Sequence, residues 1–270
     1  MSLSRLSRPV RLVICAALVA ALLLVAFLAR LPFAIEQPGI TADTLGSHNG
    51  QRVITVTGHS TRPTVGNLRM TTIEVTGPDD LPNVSQVFHA WWDPARAVVP
   101  HEQVYPSGQS VEQVNQINQQ AMTESQNSAV AAALGYLHLN PAQVKVTLRL
   151  ADVGGPSAGL MFTLGIVDQL DGNGTGKAGA AGDLTNGQNV AGTGEIDDSG
   201  NVGAVGGVAL KTRAAARDGA TVFLVPRSEC SDAKVDTPKG LLLVPVETLN
   251  QAVGALKALQ NHDAANVPHC

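Results

Sequence analysis

The sequence predicts an α/β domain held behind one membrane-spanning helix, and three observations lead there. From Leu12 to Ala29 the chain runs eighteen residues without a charge, about the minimum that crosses a bilayer as a helix. Downstream, short runs rich in β-branched residues and closed by glycine alternate with longer stretches whose apolar residues recur at helical spacing. Hydrophobic residues make up 44% of the chain but aromatic ones only 3%, so Ala, Val and Leu must build a closely packed core. With 270 residues the chain has room for an anchor and one good-sized domain, or two small ones, and 15% charged residues argues against disorder.

The first element is the apolar run itself. Arg5, Arg8 and Arg11 precede it and Arg30 follows, which sets the N-terminus in the cytoplasm and the rest of the chain outside. A cleaved signal peptide is the rival reading. It calls for small residues two apart after the run, whereas Ala26 and Ala29 are three apart and Phe27 fills the small position. Lipidation at Cys15 is set aside because Ile14 stands where a small residue is needed and most of the apolar run lies after it. Without the four arginines of the first 30 residues, 14 basic residues face 22 acidic ones. A body with a net charge of −8 repels nucleic acid, so no nucleic-acid partner is expected.

Pro32 to Asn49 is mostly polar, carries Pro38 and Gly39, and reads as a spacer off the membrane. Arg52 to Thr57 and Met70 to Thr76 are strands by composition, ending at Gly58 and Gly77. Phe88 to Pro94 gathers Trp91 and Trp92. Local packing is the expectation for that pair, with lipid contact near the anchor as the alternative. Ser110 and Gln113 form a capping box that starts a helix from about Val111 to Leu137, ended by Asn140-Pro141. Val144, Val146, Leu148 and Leu150 then alternate with polar residues as in a half-buried strand.

The next segment holds the chemistry. A strand ending near Leu150, the turn Asp152-Val153-Gly154-Gly155-Pro156, and Ser157-Ala158-Gly159 opening the apolar run Leu160 to Leu170 put a serine at a helix N-terminus. Free N–H groups and the helix dipole there can hold the oxyanion formed when a hydroxyl attacks an amide. The same serine would also serve as a plain N-cap. Asp171 to Gly182 is glycine- and alanine-rich and is expected to be a flexible loop. Its Gly176-Lys177 does not make a phosphate-binding loop, because Asp171 and Ala178 occupy the required Gly and Ser/Thr positions; no ATPase module and no cofactor is expected.

Val190 to Ile196, a turn at Asp198-Ser199-Gly200-Asn201, and Val202 to Val205 read as a hairpin feeding a helix from Val208 to Asp218, with a strand at Thr221 to Val225. Lys211 lies among alanines on that helix. To act as a general base it must be neutral near pH 7, its pKa lowered by about three pH units, or roughly 4 kcal/mol, which an apolar pocket can supply. An exposed surface lysine is the alternative. Cys230 and Cys270 lie outside the membrane, where they either close a disulfide that ties down the C-terminal tail or remain separate thiols.

Gly155-Pro156-Ser157-Ala158-Gly159, Thr193-Gly194-Glu195, and Gly206-Gly207 followed by Lys211 and an alanine-rich helix resemble, in the same order, the proteolytic domain of Lon. The resemblance runs from about Gln113 to Gln260. It implies a fold like ribosomal protein S5 domain 2, a mixed sheet with flanking helices, and a Ser-Lys peptidase. By the same resemblance Ser157 is the nucleophile, Lys211 the general base, Thr193 the residue orienting the lysine, and Gly155, Pro156 and Ala158 form the oxyanion turn. The spacing of 54 residues between Ser157 and Lys211 is longer than usual for that domain, and the 171–182 loop sits where an insertion would explain it. Gly154 stands where many Lon domains have an acid.

Trp92-Asp93-Pro94, Val98-Val99-Pro100, Glu102 and Val104-Tyr105-Pro106 resemble the membrane-bound Lon-like proteins of bacteria, sometimes called the YlbL family. Only Gly135 to Gln143 separates the alanine-rich helix from the next strand, too short for the PDZ domain those relatives usually carry there. The implied organisation is a cytoplasmic tail (1–11), a membrane helix (12–31), an extracytoplasmic region with strands (32–109), a protease domain (110–262) and a tail (263–270). Polypeptide substrates, ATP independence and rings of subunits are what the resemblance implies. Gly155-x-Ser157-x-Gly159 also fits the nucleophile elbow of an α/β-hydrolase, but only His262 and His269 follow it, both in a polar tail. His48, His59, His89, His101 and His138 have no ligand spacing, so no metal is expected. A non-catalytic scaffold that keeps the fold is a third reading.

Overall fold

The computed structural model describes residues 7–106, 108–150 and 155–270. The turn at Asp152, Val153 and Gly154 lies outside the described residues. In chain order the first half contains α1 (Arg8–Leu28), β1 (Phe33–Asp43), β2 (Ser47–His48), β3 (Gln51–Arg52), β4 (Ile54–Thr57) and β5 (Asn67–Val75). It continues with α2 (Val84–Trp92), β6 (Ala97–Pro100), α3 (His101–Val104) and α4 (Val111–Tyr136). Then follow β7 (Lys145–Leu148), α5 (Gly159–Leu170), β8 (Asn189–Gly192), β9 (Glu195–Ile196), β10 (Val202–Gly203) and α6 (Val208–Arg217). The chain ends with β11 (Val222–Pro226), α7 (Cys230–Lys234), β12 (Leu242–Val246) and α8 (Leu249–Gln260). A six-stranded mixed sheet has the order β12-β11-β8-β5-β1-β6, with β12, β11, β8 and β5 parallel to one another and β6 antiparallel to β1.

Two compact units divide the chain: Met1–Gln37 with Val75–Gln109, and Pro38–Glu74 with Ser110–Cys270. Residues 38–74 thus group with the later part of the chain, whereas sequence organisation puts them in the region before 110. In the first unit, α1 is an apolar helix long enough to cross a membrane, with no buried residue. The strand β6 pairs with Phe33 to Glu36 of β1. α2 is closed by a reciprocal capping box between Asn83 and Gln86, which satisfies two donors at its start. Val87 and Ala90 of α2 are buried, but Trp91 and Trp92 are 76% and 75% exposed, so the expected packing of the tryptophan pair is not what the fold gives them.

The supposed spacer is also corrected: most of it is β1. Pro38 and Gly39 suggested a break, yet a Cβ on Gly39 would come within 2.9 Å of the Ile73 carbonyl carbon. Glycine is there so that β1 can lie close against β5. The pairing with β6 ends at Glu36, so the N–H that Pro38 lacks is not needed on that flank.

The second unit is layered, and the period of two along its strands shows it. Val190, Val222, Leu224, Val244 and Val246 point into a core shared with α4, α5 and α8. Ala191, Phe223, Val225 and Leu243 point into a second core with Val208, Ala215 and Ala233 of α6 and α7. Helices therefore cover both faces, and β11 is buried at all five positions, as a central parallel strand must be. Cys230 and Cys270 pack on the second core and are joined by a disulfide, their Cα atoms 5.3 Å apart across 40 residues of chain. Loop-entropy arithmetic gives such a bridge about 4 kcal/mol. Replacing both cysteines by serine is expected to lower stability by about 3–4 kcal/mol, read from the urea midpoint at constant m.

The 171–187 segment is a built loop rather than a flexible one. Arg62 Nη1 lies 3.3 Å from Asp168 Oδ1 and 2.7 Å from Asp183 Oδ1, while Nη2 donates to the Lys177 carbonyl. Asn173 donates to the Ala181 carbonyl and to Gln260 Oε1, and Gln260 donates to the Asp183 carbonyl. Both carboxyls are fully buried, and Asp168 Oδ2 has no hydrogen-bond partner among the described residues. Burial, opposed by the Leu184 amide and Arg62 and reinforced by Asp183, pushes the Asp168 carboxyl up from 3.8 to about 7. Between those values the folded chain holds a proton that the unfolded chain has released. Stability owed to this group therefore declines as pH rises from about 4 to about 7 and is flat beyond. Asp168→Asn, which imitates the protonated acid, is expected to reduce the stability difference between about pH 5 and about pH 8; an unchanged slope would assign it to other groups.

Candidate active site

The site lies in the second unit, at the carboxyl end of β8, where open α/β sheets commonly place their ligands. Three segments converge there. The first is the turn before α5, where Gly155 takes φ +91° and Pro156, Ser157 and Ala158 form a single 3₁₀ turn leading into the helix. Its support comes from α4: Ser125 Oγ donates to the Pro156 carbonyl at 2.8 Å, and the Gly155 N–H donates to the Asn118 carbonyl. Gly159 has no room for a side chain, since a Cβ would stand 2.9 Å from Ser125 Oγ and 3.1 Å from the Ile196 nitrogen. The turn is thus clamped between α4 and the start of β9. Ser157 itself is half-buried.

The second segment is Gly192-Thr193-Gly194. A Cβ on Gly192 would meet Met161 Sδ at 2.7 Å and the Leu224 carbonyl oxygen at 2.9 Å, so glycine allows β8 to pass between α5 and β11. Thr193 is fully buried, and its N–H donates to the Leu224 carbonyl. The Ser157 carbonyl receives two hydrogen bonds, 2.9 Å from the Gly194 N–H and 3.1 Å from the Thr193 hydroxyl. In return, the Leu160 N–H donates to the Gly194 carbonyl. The serine turn and the end of β8 are therefore stitched together in both directions.

The third segment is α6. Gly207 starts it in the left-handed region at φ +68°, and a Cβ there would press to 2.8 Å from Ile73 Cγ2. Val208, Leu210, Lys211, Thr212, Ala214 and Ala215 are buried. Lys211 is 3% exposed, and its Nζ donates to Thr193 Oγ1 at 3.2 Å. A carbonyl can only accept, so the one proton of the Thr193 hydroxyl is committed to Ser157. Toward Lys211 the hydroxyl can only accept, which fixes one N–H of the lysine.

Of the residues singled out in sequence, Ser157, Thr193 and Lys211 are thus brought together through one hydroxyl. Gly155, Pro156 and Ala158 lie on the serine turn, but Pro156 has no N–H and that of Gly155 is taken by Asn118. His262 is exposed on the turn after α8. Sequence reasoning missed the Asn118 carbonyl and the Ser125 hydroxyl, which sit in a helix with little amphipathic signal. It also missed Arg62; the only hint was an aspartate, Asp168, inside an otherwise apolar run.

A comparison with curated proteins finds no match. Residues 150–257, which hold Ser157, Thr193 and Lys211, match the family model of the Lon protease (S16) C-terminal proteolytic domain, in a chain that also has one N-terminal helix long and apolar enough to cross a membrane.

Proposed function

We propose that the chain is an ATP-independent serine endopeptidase, anchored by α1 in the cytoplasmic membrane with its catalytic domain outside, that cuts polypeptides with a Ser157-Lys211 dyad. The observation that carries this reading is the buried path from Lys211 Nζ through the Thr193 hydroxyl, 3.2 Å and 3.1 Å, to the backbone of Ser157. A neutral Lys211 amine takes the Ser157 hydroxyl proton as Oγ bonds to the scissile carbonyl carbon. N–H groups at the start of α5 hold the oxyanion. When the intermediate collapses, the C–N bond breaks and Lys211 returns the proton to the leaving amine. Water, deprotonated by the same lysine, then releases the acyl group from Ser157. Thr193 orients the lysine.

The external location is supported by the arginines before α1 and by the Cys230–Cys270 bridge, a bond that persists in oxidising compartments. Substrates should be unfolded or flexible segments, since the proposal includes no step that unfolds a protein. Rings of subunits remain part of the proposal by analogy with the domain's relatives. Casein cleavage by the purified full chain without nucleotide tests it: wild type and His262→Ala are expected to cut, and Ser157→Ala is not. Loss of cleavage in His262→Ala with Lys211→Ala still active would replace the dyad by a histidine triad.

A further inference from the structure

α2 has two apolar faces, and the first unit uses only one of them. Val87 and Ala90 point inward, and the helix packs against β6. Phe88, Trp91 and Trp92 share the opposite face by their spacing of three and four, and they are 62%, 76% and 75% exposed. The rings of Phe88 and Trp92 stand 6.1 Å apart and form one aromatic surface, with Trp91 exposed beside it. Two tryptophans and a phenylalanine left in water are costly unless something covers them.

The position of α2 says what covers them. Its N-cap, Asn83, forms a β-bridge with Arg30, the residue that closes the apolar run. Arg30 Nη1 donates to the Leu81 carbonyl at 2.8 Å, and the Leu31 N–H donates to the Pro82 carbonyl at 2.9 Å. The entry to α2 is therefore fixed to the point where the chain leaves α1, and α2 also touches α1 directly. Nine residues of helix extend about 13 Å, so the aromatic face stays near that exit. Tryptophan prefers this depth, with its ring against acyl chains and its N–H among headgroups.

We propose that Phe88, Trp91 and Trp92 dock α2 into the headgroup layer of the membrane, beside the exit of α1. The inference rests on the reading of α1 as a membrane span. The flanking charges are His89 and the Asp93–Arg96 ion pair, which supply no cationic cluster, so zwitterionic lipid suffices. The docking would give the chain a second hold on the membrane, at its surface.

The two tryptophans of the patch are the only two in the chain, so intrinsic emission reports on this face alone. Cys15, a free cysteine in α1, takes a thiol-reactive fluorophore that reports separately on the span. The full chain would be reconstituted in phosphatidylcholine nanodiscs with or without a nitroxide on the acyl chain, placed high or deep. The high nitroxide is expected to remove at least about half of the tryptophan emission, with or without anionic lipid, while the Cys15 label is quenched most by the deep one. Quenching of Cys15 with unquenched tryptophans would overturn the docking and leave the span standing. Blue-shifted but unquenched tryptophans would assign the face to a protein partner, and quenching that requires anionic lipid would also overturn the proposal. If neither probe is quenched, the span reading fails and the docking with it.

Discussion

Lys211→Met is expected to lower kcat/KM for a fluorogenic peptide by about 10²–10⁴-fold, to the same floor as Ser157→Ala, with the double variant no lower. Methionine keeps the length and fills the space of a side chain that is 3% exposed, so the packing of α6 against the sheet should survive. The non-additivity is the sharper arm of the test. If Ser157 and Lys211 act in one proton transfer, removing the second costs little once the first is gone. An activity loss under tenfold in Lys211→Met, or two losses that multiply in the double variant, would sink the dyad. Thr193→Val should weaken catalysis less, because it removes the anchor of the amine and not the amine.

Arg62→Met is expected to have the largest effect on stability, about 3–5 kcal/mol, because it leaves two buried carboxyls without their cation. Arg62 is 16% exposed at its side chain, and Asp168 and Asp183 are 0% exposed, so little solvent screening relieves the loss. The guanidinium also holds the Lys177 carbonyl and hence the 171–187 loop. The defect should depend on pH. With Asp168 already pushed up to about 7, acid conditions let the cluster shed charge by holding a proton, and alkaline conditions do not. The stability gap between wild type and Arg62→Met should therefore widen as pH rises through about 7. Urea denaturation across that range measures it, and a gap that is constant with pH would mean that lost packing, not charge, is responsible.

Much of this protein could be read from order and spacing along the chain. The capping box at Ser110, the strands around Val146 and Leu224, and the helix that carries Lys211 follow from local patterns that their tertiary surroundings reinforce. The motifs containing Ser157, Thr193 and Lys211 were legible because a glycine at 155, 159, 194 or 207 leaves a mark wherever backbones must come close or turn left-handed. Where the tertiary structure decided, it did so through partners distant in sequence. The polar segment after residue 32 became β1 because β5 and β6 offered it a ladder, and propensity yields to such pairing. The glycine-rich loop became ordered because Arg62, more than a hundred residues upstream, reaches into it. The tryptophan pair stayed exposed because Val87 and Ala90 already supply the inward face of α2. Sequence by itself determined which residues could do the chemistry. Only the fold decided that Lys211 meets Thr193, and Thr193 the serine turn, because hydrogen bonds between residues this far apart in the chain exist only once the sheet has closed.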